Sequence, residues 1–345
     1  MAQLSRDERA RGVIAASAGN HAQGVALAAQ LLGIQATIFM PANASLAKVS
    51  ATRGYGATVR LEGESFDASF DACLREQRRV GAVLIHPFDD PAVIAGQGTV
   101  ACEILDDLPG VDAIVAPIGG GGLISGIAIA AKAMSPTVKV YGVEADQADA
   151  VWLRLHDLPL SQKPSLSTIA DGIAVKEPGR MTLGIIQRLV DDVVTVTDDE
   201  IARTIVMLLE RSKLVVEGAG AASLAAVLSG RLPVAGRKVA VLLSGGNIDI
   251  NLMARLIEHG LATAGRYLIF ETFVTDKPGE LAKVLELLAG EGVNVLGVEH
   301  LRPGSFLQVG VMLTVETQDA AHGQRLLKLL RRRGYQVNQV KLGSR

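Results

Sequence analysis

The chain has 345 residues, of which 49% are hydrophobic, and a formal net charge of −2. It is long enough for two or three domains with sizeable cores, and its near-neutral charge argues against nucleic acid or an anionic membrane as the main partner. Residues 1–8 are polar and charged, unlike a signal peptide, and no apolar run is long enough to span a bilayer. The two cysteines lack metal-ligand spacing, so we expect a reducing, cytoplasmic setting.

The first part of the chain alternates short apolar strands with helices, which predicts parallel sheets in an α/β fold. Strands are expected at 13–16, 36–40, 58–61 and 83–85, with helices at 20–32, 44–54 and 65–80 between them. A second series has helices at 91–105, 123–134 and 198–209 and strands at 113–117, 139–143 and 238–243. The break near His86-Pro87 separates a small sheet domain from a larger one.

The pattern changes at about Ala262. Strands are expected at 266–275, 293–301, 306–316 and 335–341, and helices at 279–290 and 318–333. This is the β-α-β-β-α-β order of ferredoxin-like folds, so we predict domains at 1–85, 86–262 and 263–345.

The first glycine-containing turn is Ser17–Gly24, where a strand ends and a helix begins at Asn20. Free N–H groups at a helix N-terminus attract an anion, and the side chains of Ser17 and Asn20 add donors. An ordinary βα turn capped by asparagine explains the same residues equally well.

The second turn is Pro117–Leu123, with four consecutive glycines at 119–122. Its N–H groups form a nest that predicts a phosphate site, although no Gly-Lys-Ser/Thr follows as in a Walker loop. Glu144 ends the next strand, where a dinucleotide enzyme places its ribose acid, so a nicotinamide oxidoreductase is an alternative. A turn that is rich in glycine for packing alone is another.

The third turn is Ser244–Asn247, again after an apolar strand. Ser244 can present a hydroxyl to a heteroaromatic ring, and the glycines allow that ring to approach. A simple loop after a strand is the alternative.

Together the three turns resemble those of the fold-type-II pyridoxal-phosphate enzymes, and within them the threonine dehydratases (threonine ammonia-lyases). The resemblance runs from about Leu4 to Ala262 and includes Thr168–Gly172 and Glu217–Ala221. The last part, with Asp276–Gly279 before a helix, looks like an ACT regulatory domain. The implied fold has two parallel-sheet domains, the small one incomplete, followed by a ferredoxin-like ACT domain.

The resemblance implies a site for pyridoxal 5′-phosphate. Asn20 would hydrogen-bond the phenolic oxygen, and Ser244 would face the pyridine nitrogen, leaving it largely unprotonated, which favours rapid elimination. The cofactor phosphate would accept hydrogen bonds from the backbone N–H groups of Gly119, Gly120, Gly121, Gly122 and Leu123. The substrate carboxylate would bind at Ser17, Ala18, Gly19 and His21.

The implied reaction is elimination from L-threonine, and also L-serine, giving ammonia and 2-oxobutanoate or pyruvate. Related serine racemases carry a serine at the position of Ala18 as a second acid/base group. Alanine cannot transfer a proton, so dehydration is favoured over racemisation. The racemases' divalent-cation site matches Glu144 and Ala150, and alanine is no ligand, so no metal is expected.

The family's Schiff-base lysine lies in a Ser-Phe-Lys-x-Arg-Gly motif, which this chain lacks. The lysine is expected upstream of Met1, and no catalytic residue is assigned within the chain. Lys48 and Lys213 lie in segments that match the family elsewhere, so neither replaces it. One hypothesis is a start codon assigned too late; the other is a short form without elimination activity that binds an amino acid or modulates a partner subunit.

The resemblance also implies how the protein is regulated and assembled. An effector such as isoleucine or valine would bind between paired ACT domains, with a sign that the sequence leaves open. A dimer or tetramer is expected, and the other partners are small amino acids rather than nucleic acid or membrane.

Overall fold

The computed structural model describes residues 1–160, 166–263, 265–301 and 308–340. The chain divides into two compact units, Met1–Ile248 and Asp249–Arg345. The start of the strand predicted at 306–316 and the end of that at 335–341 lie outside the described residues. Within the described ranges, no helix is both long and apolar enough to cross a membrane.

The first half of unit 1 is a parallel sheet flanked by helices. Its elements are α1 Arg6–Arg11, β1 Val13–Ala16, α2 Asn20–Leu32, β2 Ala36–Met40, α3 Leu46–Gly54, β3 Thr58–Leu61, α4 Phe66–Val80 and β4 Val83–Leu84. The described strands pair in the order β3-β2-β1-β4. All of β1 is buried, as expected for an inner strand covered on both faces.

The second half of unit 1 is another parallel sheet, with the strand order β7-β6-β5-β8 among the described residues. Its elements are α5 Pro91–Asp107, β5 Ala113–Pro117, α6 Gly122–Met134, β6 Lys139–Ala145, α7 Ala150–Leu155, α8 Arg180–Leu189, β7 Asp192–Val196, α9 Asp198–Met207, α10 Gly218–Leu228 and β8 Val239–Val241. A 3₁₀ turn lies at Asp171–Ile173 and a π-helical turn at Leu208–Ser212. The predicted α/β class with parallel sheets is confirmed.

Several predicted boundaries were wrong by a few residues. The helix expected at 44–54 begins at Leu46, because the Ala44 N–H bonds Pro41 in a turn. The strand expected at 238–243 spans only Val239–Val241, although Leu242 still donates to Val115. The predictions also omitted α1, α7, α8, β7 and α10.

Unit 2 begins with α11 Ile250–Thr263, which was not predicted either. It continues with β9 Tyr267–Thr275, α12 Glu280–Gly290, β10 Asn294–Leu301, β11 Gln308–Glu316, α13 Ala320–Arg332 and β12 Val337–Val340. The described strands form an antiparallel sheet in the order β10-β11-β9-β12. The predicted β-α-β-β-α-β order is therefore present, and the three-domain division at 85 and 262 stays a prediction.

Candidate active site

The three glycine-containing turns lie at the carboxyl ends of parallel strands. Ser17 follows β1, Gly119 comes shortly after β5, and Ser244 comes shortly after β8. The strands β5 and β8 are neighbours, and the Leu242 N–H donates to the Val115 carbonyl at 3.0 Å just before the third turn. Ligands bind at this edge of open α/β sheets, so strand pairing brings the second and third turns to one place.

The segment Gly119–Leu123, called the glycine loop below, has the free donors that an anion needs. Within the described part of the chain, no acceptor receives its backbone N–H groups. Gly120, Gly121 and Gly122 are buried, and Gly121, at the N-terminus of α6, has φ of 90°. Buried N–H groups without partners are costly, and a helix N-terminus favours negative charge. The glycine loop therefore fits the phosphate of a cofactor.

Packing also requires glycine in this loop. A Cβ atom on Gly120 would overlap the Phe88 ring, and one on Gly121 would lie 2.9 Å from Thr182. Thr182 donates from Oγ1 to the Gly120 carbonyl at 2.7 Å, which fixes the loop from its other side. Packing explains why glycine is required at these positions, but it provides no acceptors for the N–H groups of the loop.

The first turn has free N–H groups at the start of α2. The Ser17 hydroxyl oxygen accepts from the Gly19 N–H at 3.1 Å, and the Ser17 N–H donates to Phe39 at 3.0 Å. Among the described residues, no acceptor receives the N–H groups of Ala18, Asn20 and His21. These donors at a helix N-terminus suit a carboxylate.

The His21 imidazole is engaged in a hydrogen bond with the backbone. Its Nε2 lies 3.0 Å from the Ile85 carbonyl oxygen, to which the ring donates. Burial lowers the pKa of His21, so the ring is neutral at neutral pH.

Asn20 and the third turn meet at Glu217, the residue before α10. The Asn20 amide donates from Nδ2 to Glu217 Oε1 at 2.9 Å, and the Glu217 N–H donates to the Gly245 carbonyl at 3.0 Å. A Cβ atom on Gly245 would overlap the Glu217 carboxyl group and lie 3.2 Å from Asn20 Nδ2. Glycine at 245 is therefore needed for the first and third turns to approach each other.

Four side chains form what we call the carboxylate cluster: Asn20, Lys48, Asp171 and Glu217. Burial raises the pKa of Glu217, opposed by the hydrogen bond from Asn20; the negative charge of Asp171 raises it further, and Lys48 lowers it. Lys48 Nζ lies 2.9 Å from Asp171 Oδ2, which ties α3 to the 3₁₀ turn. The cluster thus joins both sheets of unit 1.

The 3₁₀ turn is held between the glycine loop and Glu217. Asp198 accepts from the Thr168 hydroxyl and from the Ile169 N–H, which anchors the segment before the turn. A Cβ atom on Gly119 would lie 3.0 Å from Ile173, and one on Gly172 would lie 3.6 Å from Glu217 Oε1. The motif at 168–172 therefore lies beside the glycine loop and Glu217.

Ser244 and Leu123 complete the set of predicted positions. The Ser244 side chain is exposed, next to Gly245, and Leu123 is half-buried in the first turn of α6. The structure thus brings the predicted cofactor and substrate positions to one edge of unit 1.

Glu144 does not suit the ribose of a dinucleotide. Its side chain is buried, and its oxygens accept from the Val151 and Trp152 N–H groups at 3.0 and 2.7 Å. Burial raises its pKa to about 8, more than these hydrogen bonds lower it. Glu144 therefore caps α7, and the nicotinamide alternative loses the acid on which it relied.

The sequence predictions gave no role to Glu217, Asp171 or Lys48. Glycine spacing after Glu217 was a usable signal, because a Cβ atom on Gly218 would overlap the Ile169 carbonyl and one on Gly220 would lie 2.6 Å from that of Gly245. These glycines allow the start of α10 to pack closely against the segments at Ile169 and Gly245.

Comparison with known proteins agrees with this geometry. The family model described as "Pyridoxal-phosphate dependent enzyme" matches residues 1–245. An L-threonine ammonia-lyase of Thermotoga maritima is 49% identical over 99% of this chain and 85% of its own length.

Two solved structures share the fold. The processed form of threonine deaminase isoform 2 from Solanum lycopersicum has a TM-score of 0.70 and 38% identity, covering 74% of this chain and 71% of its own. Maize serine racemase has a TM-score of 0.68 and 38% identity, covering 74% of this chain and 80% of its own. The free N–H groups of the glycine loop and the cleft beside Asn20 suit the same cofactor. This chain belongs to the family of pyridoxal-phosphate dependent enzymes.

Proposed function

We propose that the protein is a threonine ammonia-lyase, which converts L-threonine to 2-oxobutanoate and ammonia. The observation that carries the proposal is the convergence of three turns from two sheets. The glycine loop and the Ser244 turn follow the neighbouring strands β5 and β8, and Asn20, after β1 of the other sheet, is joined to the Ser244 turn through Glu217. The relative from Thermotoga maritima, named for this activity and similar over almost the whole chain, supports it.

Pyridoxal phosphate, when bound, supplies the electron sink that lets an amino acid lose its α-proton and its β-hydroxyl. The glycine loop would hold the phosphate through its N–H groups, and Asn20 would donate to the phenolic oxygen. Ser244 would face the pyridine nitrogen. The N–H groups of Ala18, Asn20 and His21 would bind the substrate carboxylate and orient its α-carbon.

The similarity to maize serine racemase raises racemisation as an alternative reaction. Ala18 supports elimination instead. A methyl side chain cannot return a proton to the opposite face of the α-carbon. L-Serine, one carbon shorter than threonine, would react in the same way to give pyruvate.

The test is an assay of 2-oxo acid and ammonia release from L-threonine, with and without added pyridoxal phosphate. We expect cofactor-dependent formation of both products in equal amounts, and formation of D-allo-threonine, the product of inversion at the α-carbon, below the rate of elimination. Racemisation as the main reaction would contradict the proposal.

A second candidate function is that of an amino-acid-binding or regulatory subunit. Under it, the chain binds amino acids or a partner subunit without turning over substrate. The same assay separates the two: turnover supports the ammonia-lyase, whereas cofactor binding without turnover supports the silent form.

We further propose that residues 263–345 form an ACT regulatory domain, after parallel-sheet domains at 1–85 and 86–262. The supporting observation is the β-α-β-β-α-β order, with the turn Asp276–Gly279 leading into α12. Isoleucine or valine would bind there in a dimer or tetramer. Calorimetry on the whole protein should detect one of these amino acids, and the absence of binding would count against regulation.

A further inference from the structure

Glu217 is the point where several distant segments of unit 1 meet. It accepts from Asn20 at the start of α2 and donates its own N–H to Gly245 after β8. The Asn247 backbone lowers the pKa of the Glu217 carboxyl group, which also lies near the position of a Cβ atom on Gly172. Glu217 can therefore control the positions of Asn20 and of the turn at Gly245.

The amide of Asn20 carries two N–H donors on one nitrogen and an acceptor oxygen. One N–H is donated to Glu217 Oε1, which leaves the second N–H on the same nitrogen available. If the amide turned over, its oxygen would face the carboxyl oxygen, and two acceptors would meet without a proton. Glu217 therefore favours one of the two amide orientations.

We propose that Glu217 is a positioning residue, which fixes the Asn20 amide so that its second N–H donates to the phenolic oxygen of pyridoxal phosphate. The proposal rests on the proposed function, because it needs a cofactor whose phenolic oxygen faces Asn20. Gly245 provides the close approach, since any side chain there would displace the Glu217 carboxyl group.

The role is limited to positioning, because Glu217 acts through Asn20. A donor at the phenolic oxygen stabilises its deprotonated form, so the pH at which bound cofactor changes from phenol to phenolate absorption reports the orientation of Asn20. A variant that only disturbs folding would change the affinity for the cofactor. It would not be expected to shift the phenol titration midpoint in the same way as a substitution of Asn20.

The experiment titrates pyridoxal 5′-phosphate into the full chain and records its absorption against pH for wild type, Asn20→Ala, Glu217→Gln, Glu217→Leu and Asn20→Ala/Glu217→Leu. We expect Asn20→Ala and Glu217→Leu each to weaken binding roughly tenfold and to raise the phenol titration midpoint. Glu217→Gln keeps an acceptor but adds N–H donors that can pair with the turned Asn20 amide, so it should fall between wild type and Glu217→Leu. The double variant should match Asn20→Ala, because the two residues act as one.

Glu177→Gln is the matched control, since Glu177 is an exposed acid paired with Arg154 at 2.9 Å. It should change neither affinity nor titration. Two results would overturn this assignment but leave the proposed function intact, provided that the wild-type protein binds the cofactor. One is an unchanged phenol titration midpoint in Glu217→Leu, and the other is additive losses of affinity in the double variant. Wild-type protein that does not bind the cofactor would overturn the proposed function and this assignment with it.

Discussion

Glu144 and Glu217 are two buried carboxyl groups of unit 1 that differ in their hydrogen-bond partners. Glu144, in β6, receives the backbone N–H groups of Val151 and Trp152, seven and eight residues further along the chain. Glu217 receives the side chain of Asn20, which lies 197 residues away in the sequence. Burial raises the pKa of both.

A raised pKa therefore does not by itself identify a functional acid. The hydrogen-bond partners separate the two cases. Glu144 satisfies the N-terminus of the next helix, as a cap does, whereas Glu217 joins residues of different elements. We therefore expect Glu144 to control stability and Glu217 to control cofactor binding.

The sharpest test of this difference is the pH dependence of stability. The pKa of Glu144 rises from an ordinary 4.5 to about 8 in the folded protein. The folded state then holds a proton that the unfolded state releases, so stability is fully present below pH 4.5 and falls as pH rises through 8. The loss has an upper bound of about 5 kcal/mol.

Glu144→Gln should remove this part of the pH dependence. The measurement is denaturant unfolding from pH 5 to 9, and the quantity is the difference between wild type and variant at each pH, because other groups titrate too. A difference that does not change with pH would show that Glu144 stays ionised in the folded protein.

Glu144→Ala should destabilise the protein by about 2–3 kcal/mol, since it leaves two backbone N–H groups of α7 without an acceptor. Affinity for pyridoxal phosphate should stay at the wild-type value. Urea unfolding and a cofactor titration measure the two effects. If the affinity fell as strongly as the stability, the division of roles between the two acids would be wrong.

Much of the fold could be predicted from short patterns. Strands buried on both faces read as continuous apolar runs, as in β5, and β9 alternates between buried and half-buried residues. Among the segments that were missed, α10 lacks such a pattern, because it is rich in alanine and glycine and largely buried and so has no polar face to set a helical period.

The site was predictable in part for a similar reason. Glycine-containing turns after strands are local signals, so the turns at 17–24, 117–123 and 244–247 could be singled out from the sequence, and the family resemblance then implied roles for their residues. The contact of Asn20 with Glu217 spans most of unit 1, and no local pattern encodes it. Only the fold places the ends of α2, α10 and β8 together.

Gly245→Ala should test Glu217 without altering it. The new Cβ atom would push the Glu217 carboxyl group away from Asn20, at a cost of about 1–2 kcal/mol in stability and with weaker cofactor binding. Gly184→Ala is the control, because a Cβ atom there meets nothing within 4 Å and α8 should gain up to about 1 kcal/mol. Equal cofactor affinity in both variants would argue that the approach at Gly245 has no part in binding.

Lys48→Met should give the smallest effect, below about 1 kcal/mol in stability, because its partner Asp171 is largely exposed and such pairs contribute little. It should still act on Glu217, since the Lys48 charge lowers the pKa of that carboxyl and Asp171 raises it. Lys48→Met and Asp171→Asn should therefore shift the pH dependence of cofactor binding in opposite directions, and more at low salt than at high salt. Shifts in the same direction would mean that the two side chains act through the position of the 3₁₀ turn, and not through their charges.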